Sequence, residues 1–326
     1  SYKPDEKIKL LFVLDDGVLK NYPELIESIK EYCLLHSNQL QFTECLVTPG
    51  GEKSKNSYEN VDRIIAAIND NAICRHSFVV AIGGGAVIDM VGYAASIAHR
   101  GVKLIRIPTT VLSQNDAAIG VKNGINAYKK KNFIGTFAPP YAILNDSEFL
   151  TSLEQRDWIA GVAEAIKVAL IKDEIFYNTI KENAIRLKER DMDAMLSTIY
   201  RCAEMHMEHI ARGGDPFESG SSRPLDFGHW SAHKLEQMSN YSLRHGEAVA
   251  KGIALDLTYS RSIGLISAEV LDEILGVMTE IGFDLSIPVS GDEALQELLK
   301  GIQEFREHLG GELTITLISG IGKKMD

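Results

Sequence analysis

The sequence predicts two domains of different class: an α/β domain over residues 1–150 and a mostly α-helical domain over 151–326. Three observations carry this. "KLLFVLD" (9–15), "CLVTP" (45–49), "FVVAIGG" (78–84), "KLIRIPTT" (103–110) and "YAILND" (141–146) are short apolar runs separated by helix-like segments, the pattern of a parallel sheet. "SFVVAIGGGAVIDMVGYAASIA" (77–98) reads as a strand, a glycine turn and a helix. From about Leu153 onward the signals are amphipathic helices, such as "EQRDWIAGVAEAIKVALIK" and "AEVLDEILGVMTEIG", and a strand signal returns only at "ELTITLIS". No repeat or low-complexity linker separates the halves, so the domains are expected to abut, with a cleft between them as the ligand site.

Composition narrows the class. A chain of 326 residues and 36.0 kDa is long enough for two substantial cores. A formal net charge of -11 argues against a broad nucleic-acid surface, while local lysines can still hold a small anion. Cys33, Cys45, Cys74 and Cys202 have no CxxC spacing, so neither a disulfide framework nor a zinc ribbon is expected. No apolar run reaches membrane-spanning length, and a soluble, cytoplasmic protein is the expectation.

In the first half, the glycine turn before a helix suits a pyrophosphate, because glycines admit close approach and helix-start N–H groups favour an anion. Ile88 stands where the third glycine of G-x-G-x-x-G would fall, so a plain tight turn stays open. The domain is thus Rossmann-like rather than a match to the full fingerprint. Asp89, placed in the helix's first turn, is either a ligand or a favourable helix-dipole charge. Asp15, ending the first strand, is either a ribose-binding acid or a loop cap. "PGGEKSK" (49–55) sets Glu52 and Lys55 on a turn that is otherwise simply solvated. "PTTVLSQNDAAIGVKNGINAYKKKNFIGTF" (108–137) reads as a long structureless connection. It carries Asp116, Lys122, Lys129, Lys130, Lys131 and Asn132, and is either a basic surface loop or a phosphate-binding one.

In the second half, Glu164 and Lys167 share a face of an otherwise apolar helix, as a surface ion pair or as functional charges. His229 and His233 are four apart on a predicted helix, and His245 follows. Three histidines with Glu164 available suit a divalent metal with positions left open for substrate. From the residues alone, the expectation is metal-assisted chemistry beside a dinucleotide.

These pieces together carry a resemblance. "GGGAVID", "RGVKLIRIPTT", "NDAAIGVKNGIN", "KKNFIGTF", "AGVAEAIK", "FGHWSAH" and "RHGEAVAKG" stand in the order and at spacing compatible with the sugar phosphate cyclases, the dehydroquinate synthase superfamily, across nearly the whole chain. The resemblance implies an NAD-dependent, zinc- or cobalt-dependent carbocyclase. Its reaction transiently oxidises a ring hydroxyl, eliminates phosphate, returns the hydride, and closes the opened ring by intramolecular aldol addition. It implies metal ligation by Glu164, His229 and His245, with His233 handling protons and positioning the ring. Asp116, Lys122, Lys131, Asn132 and Lys167 would line the substrate. Arg100 would reach the neighbouring subunit's phosphate in a homodimer. NAD would contact Asp15, Glu52, Lys55, Gly84, Gly85, Asp89, Thr109 and Thr110.

The sequence also departs from the family. Glu208 stands where the family has a lysine, Ser222 where it has an arginine (with Arg223 next door), and Asp226 where it has an asparagine before "FGH". Ala117 and Ala118 replace paired serines, and Arg306 is the only cation near "EFREHLGGELTI", where an Asp-Lys-Lys is absent. Negative charge at Glu208 and Asp226 disfavours a carboxylated substrate and suits a polyol end. The leading expectation is a cyclase of a non-carboxylated sugar phosphate such as sedoheptulose 7-phosphate, giving a valiolone-type cyclitol. The alternatives are 3-dehydroquinate synthase, an iron-type polyol or glycerol-phosphate dehydrogenase, and an NAD-binding pseudoenzyme.

Overall fold

The computed structural model describes residues 7–128, 130–213, 224–308 and 313–325. The chain divides into two compact units, Ser1–Leu153 and Glu154–Asp326.

The first unit runs β1 (Ile8–Asp15), α1 (Asp16–Asn21), α2 (Leu25–Leu35), β2 (Leu40–Thr48), a 3₁₀ turn (Glu52–Lys55), α3 (Tyr58–Asp70), β3 (Phe78–Gly83) and α4 (Gly85–Ile97). It continues through a 3₁₀ turn (Ala98–Arg100), β4 (Lys103–Pro108), a π turn (Ser113–Ala117), β5 (Lys122–Ala127), β6 (Lys130–Phe137), β7 (Ala142–Ile143) and α5 (Glu148–Thr151). Five strands form a parallel sheet in the order β2-β1-β3-β4-β7.

Alternation along the central strands makes two cores. Leu11, Val13, Val79 and Ala81 point to one face and pack with Ile64, Val87 and Val91 of α3 and α4. Leu10, Phe12, Leu14, Val80 and Ile82 point to the other, with Val18 and Cys33. A strand buried on both faces must be apolar throughout, which is why β3 reads as an unbroken run.

Three sequence expectations need correction. β2 begins at Leu40 rather than Cys45, because "LQFTE" alternates polar and apolar residues on a half-covered strand. β7 has two residues, not six. The 108–137 stretch is not structureless: it holds the π turn and an antiparallel hairpin, β5 against β6, pairing Lys122 with Phe137 and Gly124 with Gly135. Gly124 and Gly135 belong there because a Cβ on Gly135 would sit 2.4 Å from the Asn123 carbonyl oxygen. A buried Arg106 on β4 braces the approach to the hairpin, donating to Ala118 O (2.8 Å), Gly120 O (2.6 Å) and Asn123 Oδ1 (2.7 Å). Burial lowers its pKa to about 10, still high enough to keep it charged.

The second unit contains α6 (Gln155–Ala160), α7 (Val162–Lys172), α8 (Glu174–Glu182), α9 (Ala184–Lys188), α10 (Met192–Arg212) and a 3₁₀ turn (Pro224–Asp226). α11 (His229–Met238), α12 (His245–Ser262), α13 (Ala268–Ile281), α14 (Asp292–His308) and the antiparallel pair β8 (Leu317–Gly320) and β9 (Lys323–Met325) follow. α7 is buried from Val162 to Ile171, so it is the central helix of this unit, packed by α10 and α12. Two glycines let α12 come close. A Cβ on Gly246 would stand 1.9 Å from the Ala160 carbonyl oxygen, and one on Gly252 would stand 1.9 Å from that of Gly228. That approach brings the start of α12 to α7 and to the turn before α11.

Candidate metal centre and nucleotide turn

Three elements of the second unit converge on one point. Glu164, fully buried on α7, faces His229 at the start of α11 and His245 at the start of α12. Glu164 Oε1 lies 3.5 Å from His229 Nε2 and 3.7 Å from His245 Nε2. These distances are long for hydrogen bonds. Two ligands each about 2.1 Å from a tetrahedral ion are themselves about 3.4 Å apart, so the spacing is that of atoms sharing an ion. Neither Glu164 oxygen has a hydrogen bond among the described residues. The donor set, one carboxylate and two imidazole nitrogens within 4.8 Å of one another, fits zinc or a similar divalent ion.

The backbone prepares this geometry. Gly228 takes a left-handed conformation (φ 78°), and a Cβ there would stand 2.8 Å from Ile253 N. Asp256 of α12 accepts from Gly228 N (2.8 Å) and from Trp230 Nε1 (2.8 Å), clamping the turn on both sides of His229. His229 Nδ1 lies 3.0 Å from the Phe227 carbonyl oxygen, which assigns the ring's proton to Nδ1 and leaves Nε2 with its lone pair toward Glu164.

Lys167, also buried, is in ion-pair contact with Glu164 Oε2, so the surface reading of that pair is set aside. Burial is the largest influence on Glu164 and opposes its charge. Lys167 and the two imidazoles outweigh burial and hold the carboxyl well below its usual range. His233 stands one turn along α11, its ring centroid 5.4 Å from that of His229 and 5.9 Å from that of His245. Asp226, half-buried in the 3₁₀ turn, has an Oδ2 shut from solvent and without a hydrogen bond among the described residues. Glu208 is exposed on α10. Arg306 is exposed on α14, and Ser222 and Arg223 lie outside the described residues.

In the first unit the chain moves from β1 out to β2 and then back to β3 on β1's other side. The carboxyl ends of β1 and β3 therefore form a topological switch point, the usual place for a nucleotide in an open α/β sheet. Asp15 ends β1 there, and Gly84, the N-cap of α4, has no side chain of its own to offer the helix's first N–H groups. A Cβ on Gly50 would meet Asp15 Oδ1 at 2.1 Å, so the "PGG" loop lies close over this acid. Asp15 caps α1 through Gly17 N (2.8 Å), which realises the capping reading. Burial raises its pKa, partly offset by the Gly17 and Gly84 amides. Thr109 N donates to Gly83 O (3.0 Å), Thr110 Oγ1 bonds Ser113 Oγ (2.8 Å), and Ala117 packs on Gly85.

A second cluster ties the turn region to the hairpin. Lys55, buried rather than solvated, donates to Asp89 Oδ2 (2.8 Å) and contacts Asn132 Oδ1. Asp89 is the fifth residue of α4, past its first turn, so the helix-dipole reading is replaced by this ion pair. Glu52 lies 3.8 Å from Lys131 Nζ and accepts from Asn126 Nδ2 (2.8 Å), whose Oδ1 accepts from Asn132 N (2.9 Å). Asn132 is left-handed (φ 52°), a conformation asparagine tolerates. Asp116 sits on the π turn and Lys122 opens β5 with an exposed side chain. Arg100 is exposed on the 3₁₀ turn after α4 with φ 61°. Lys129 lies outside the described residues.

Sequence reasoning missed Glu236, Asp256, Asn126 and Arg106. Two had a signal: Asp256 is a lone acid in "AVAKGIALDL", and Arg106 a cation set between two isoleucines in "KLIRIP".

Comparison with known proteins places the chain in a class. The model of the 3-dehydroquinate synthase N-terminal domain matches residues 45–160, and that of its C-terminal domain matches 161–304. A 3-dehydroquinate synthase from Ruegeria sp. (strain TM1040) is 36% identical over 284 residues, 86% of this chain and 75% of that one. A 2-epi-5-epi-valiolone synthase from Streptomyces hygroscopicus subsp. jinggangensis 5008, solved with NAD+ and Zn2+ bound, superposes with a TM-score of 0.88 at 30% identity. It covers 98% of this chain and 86% of its own. A 2-deoxy-scyllo-inosose synthase (TM-score 0.83, 22% identity, 100% of this chain and 87% of that one) shares the fold. The chain belongs to the dehydroquinate synthase-like sugar phosphate cyclases, enzymes that eliminate phosphate as lyases.

Proposed function

We propose that this sugar phosphate cyclase uses NAD and a zinc or cobalt ion on a non-carboxylated sugar phosphate, such as sedoheptulose 7-phosphate, to form a valiolone-type cyclitol. Asp226 carries the substrate reading. A carboxylate in contact with this half-buried acid, roughly 4 Å away, would be repelled by about 4 kcal/mol at an effective dielectric near 20. A hydroxyl at the same place would donate a hydrogen bond to the Asp226 carboxylate instead. The 30%-identical valiolone synthase supports this reading, while the 36%-identical 3-dehydroquinate synthase favours the alternative substrate.

Glu164, His229 and His245 would hold the ion, and Asp15, Glu52, Lys55, Gly84, Gly85, Asp89, Thr109 and Thr110 the NAD. Bound together, the ion supplies a Lewis acid for hydroxyl and carbonyl oxygens and NAD supplies a hydride acceptor that is regenerated each turn. The chain's own residues do the rest. Lys122, Lys131, Asn132 and Lys167 neutralise and orient the anionic substrate. His233, its ring beside those of His229 and His245, is placed to accept and return ring protons. Asp116 orients hydroxyls. Arg100, exposed on the 3₁₀ turn after α4, is assigned to a partner copy in a homodimer.

The test supplies NAD with zinc or cobalt and offers sedoheptulose 7-phosphate, other sugar phosphates and the carboxylated seven-carbon dehydroquinate precursor. Phosphate release and product identity are measured. Turnover of sedoheptulose 7-phosphate in preference to the carboxylated compound is expected. Turnover of the carboxylated compound alone would assign the chain to 3-dehydroquinate synthesis.

A further inference from the structure

His245 belongs to two triads. Besides Glu164 and His229, it lies with His233 and Glu236 in a set whose ligand atoms also fall within 4.8 Å of one another. One imidazole cannot serve both sets in the same way. Its Nε2 faces Glu164 Oε1 at 3.7 Å, while its Nδ1 lies 3.0 Å from Glu236 Oε2. The first distance is too long for a good hydrogen bond and suits a shared ion; the second is a hydrogen bond. Glu236 is buried on the same helix as His229, two turns along, so this bond also joins the end of α11 to the start of α12.

We infer that Glu236 is a positioning residue rather than a ligand of a second ion. Its carboxylate holds the His245 proton on Nδ1, fixes the ring's rotation, and turns the Nε2 lone pair toward the ion at Glu164. The two histidines are then oriented by different devices, His229 by the Phe227 carbonyl and His245 by a carboxylate. The carboxylate is the stronger acceptor, so it holds its ring the more firmly. The inference rests on the proposed ion at Glu164, His229 and His245.

The experiment titrates metal-stripped protein with Zn2+ against a chromophoric chelator. It compares the unaltered chain, Glu236→Gln, Glu236→Ala and Glu164→Ala, with circular dichroism as the folding control. The expected result is one ion per chain in the unaltered protein and loss of it in Glu164→Ala. Glu236→Ala should bind one ion 10- to 100-fold more weakly. Glu236→Gln, which keeps an acceptor and the side chain's shape, should lie between. If Glu236→Ala does not fold, the isosteric glutamine decides alone. Unaltered affinity in the Glu236 variants overturns the positioning role. Two ions in the unaltered chain, one of them lost with Glu236, would make Glu236 a ligand. Full affinity in Glu164→Ala would instead overturn the metal centre itself.

Discussion

At the scale of single residues, the informative ones break the pattern of their surroundings. Asp226 is an acid in a buried turn, one residue from the aromatic that precedes Gly228, with one oxygen left without a hydrogen bond among the described residues. An asparagine there would present an amide donor to the same space. Asp226→Asn should therefore change the ratio of kcat/KM between sedoheptulose 7-phosphate and the carboxylated precursor by at least about tenfold, equivalent to about 1.4 kcal/mol. Metal content should not change, because Glu164, His229 and His245 are untouched. An unaltered ratio would mean that Asp226 does not read the substrate. Glu164 and Lys167 were legible as a pair by their i,i+3 spacing. Their burial was not, because spacing reports a shared face and not which way that face points. Glu236 left no trace in the sequence, since a glutamate on an amphipathic helix looks like a solvated charge until its histidine partner is placed beside it.

At the scale of elements, the site depends on how closely α12 approaches α7 and the turn before α11. Alanine in place of a helical glycine ordinarily stabilises by about 1 kcal/mol. At Gly252 the added Cβ would stand 1.9 Å from a backbone oxygen, which nothing but movement of α12 can relieve. Overpacking of this kind costs about 1–3 kcal/mol, so the clash wins. Gly252→Ala is expected to lower Tm and weaken Zn2+ binding at least about tenfold, although no ligand is altered; raised Tm with unaltered affinity would show that the helices have room.

α14 is held differently. Lys234 on α11, itself buried, bonds Glu297 and Glu304 of α14 at 2.7 Å each. The Lys234 hydrogen bond first, then that of Lys300, depresses the Glu297 pKa from 4.5 to about 2. A depressed carboxylate stabilises the fold above its unfolded pKa and loses that contribution as pH falls through the folded one. Amide protection of α14, corrected for intrinsic exchange, should thus decline between pH 4.5 and 2 more steeply than that of α13. In Lys234→Met this extra decline should shrink, with Lys300 still beside Glu297; an unchanged decline would assign the acid sensitivity elsewhere.

At the scale of the whole molecule, what was legible followed from burial. β1, β3 and β4 were readable because a sheet covered on both faces forces apolar runs, and the helical half because single-sided burial forces a 3.6-residue period. The β5–β6 hairpin was not, since its exposed face carries lysines and asparagine and masks the alternation. The candidate metal ligands were readable from residue type and spacing; of their supports Asp256 left a signal as a lone acid in an apolar stretch, whereas the contacts of Gly228 and Glu236 are set by how α11 and α12 pack. One consequence lies in Glu164, sealed inside α7 with neither oxygen hydrogen-bonded among the described residues. Its charge is balanced by Lys167 on one oxygen, and a cation between the other oxygen and the two imidazoles would add to that balance. The proposed ion would thereby lend its binding free energy to the fold of the second unit, and Tm should rise with Zn2+ concentration.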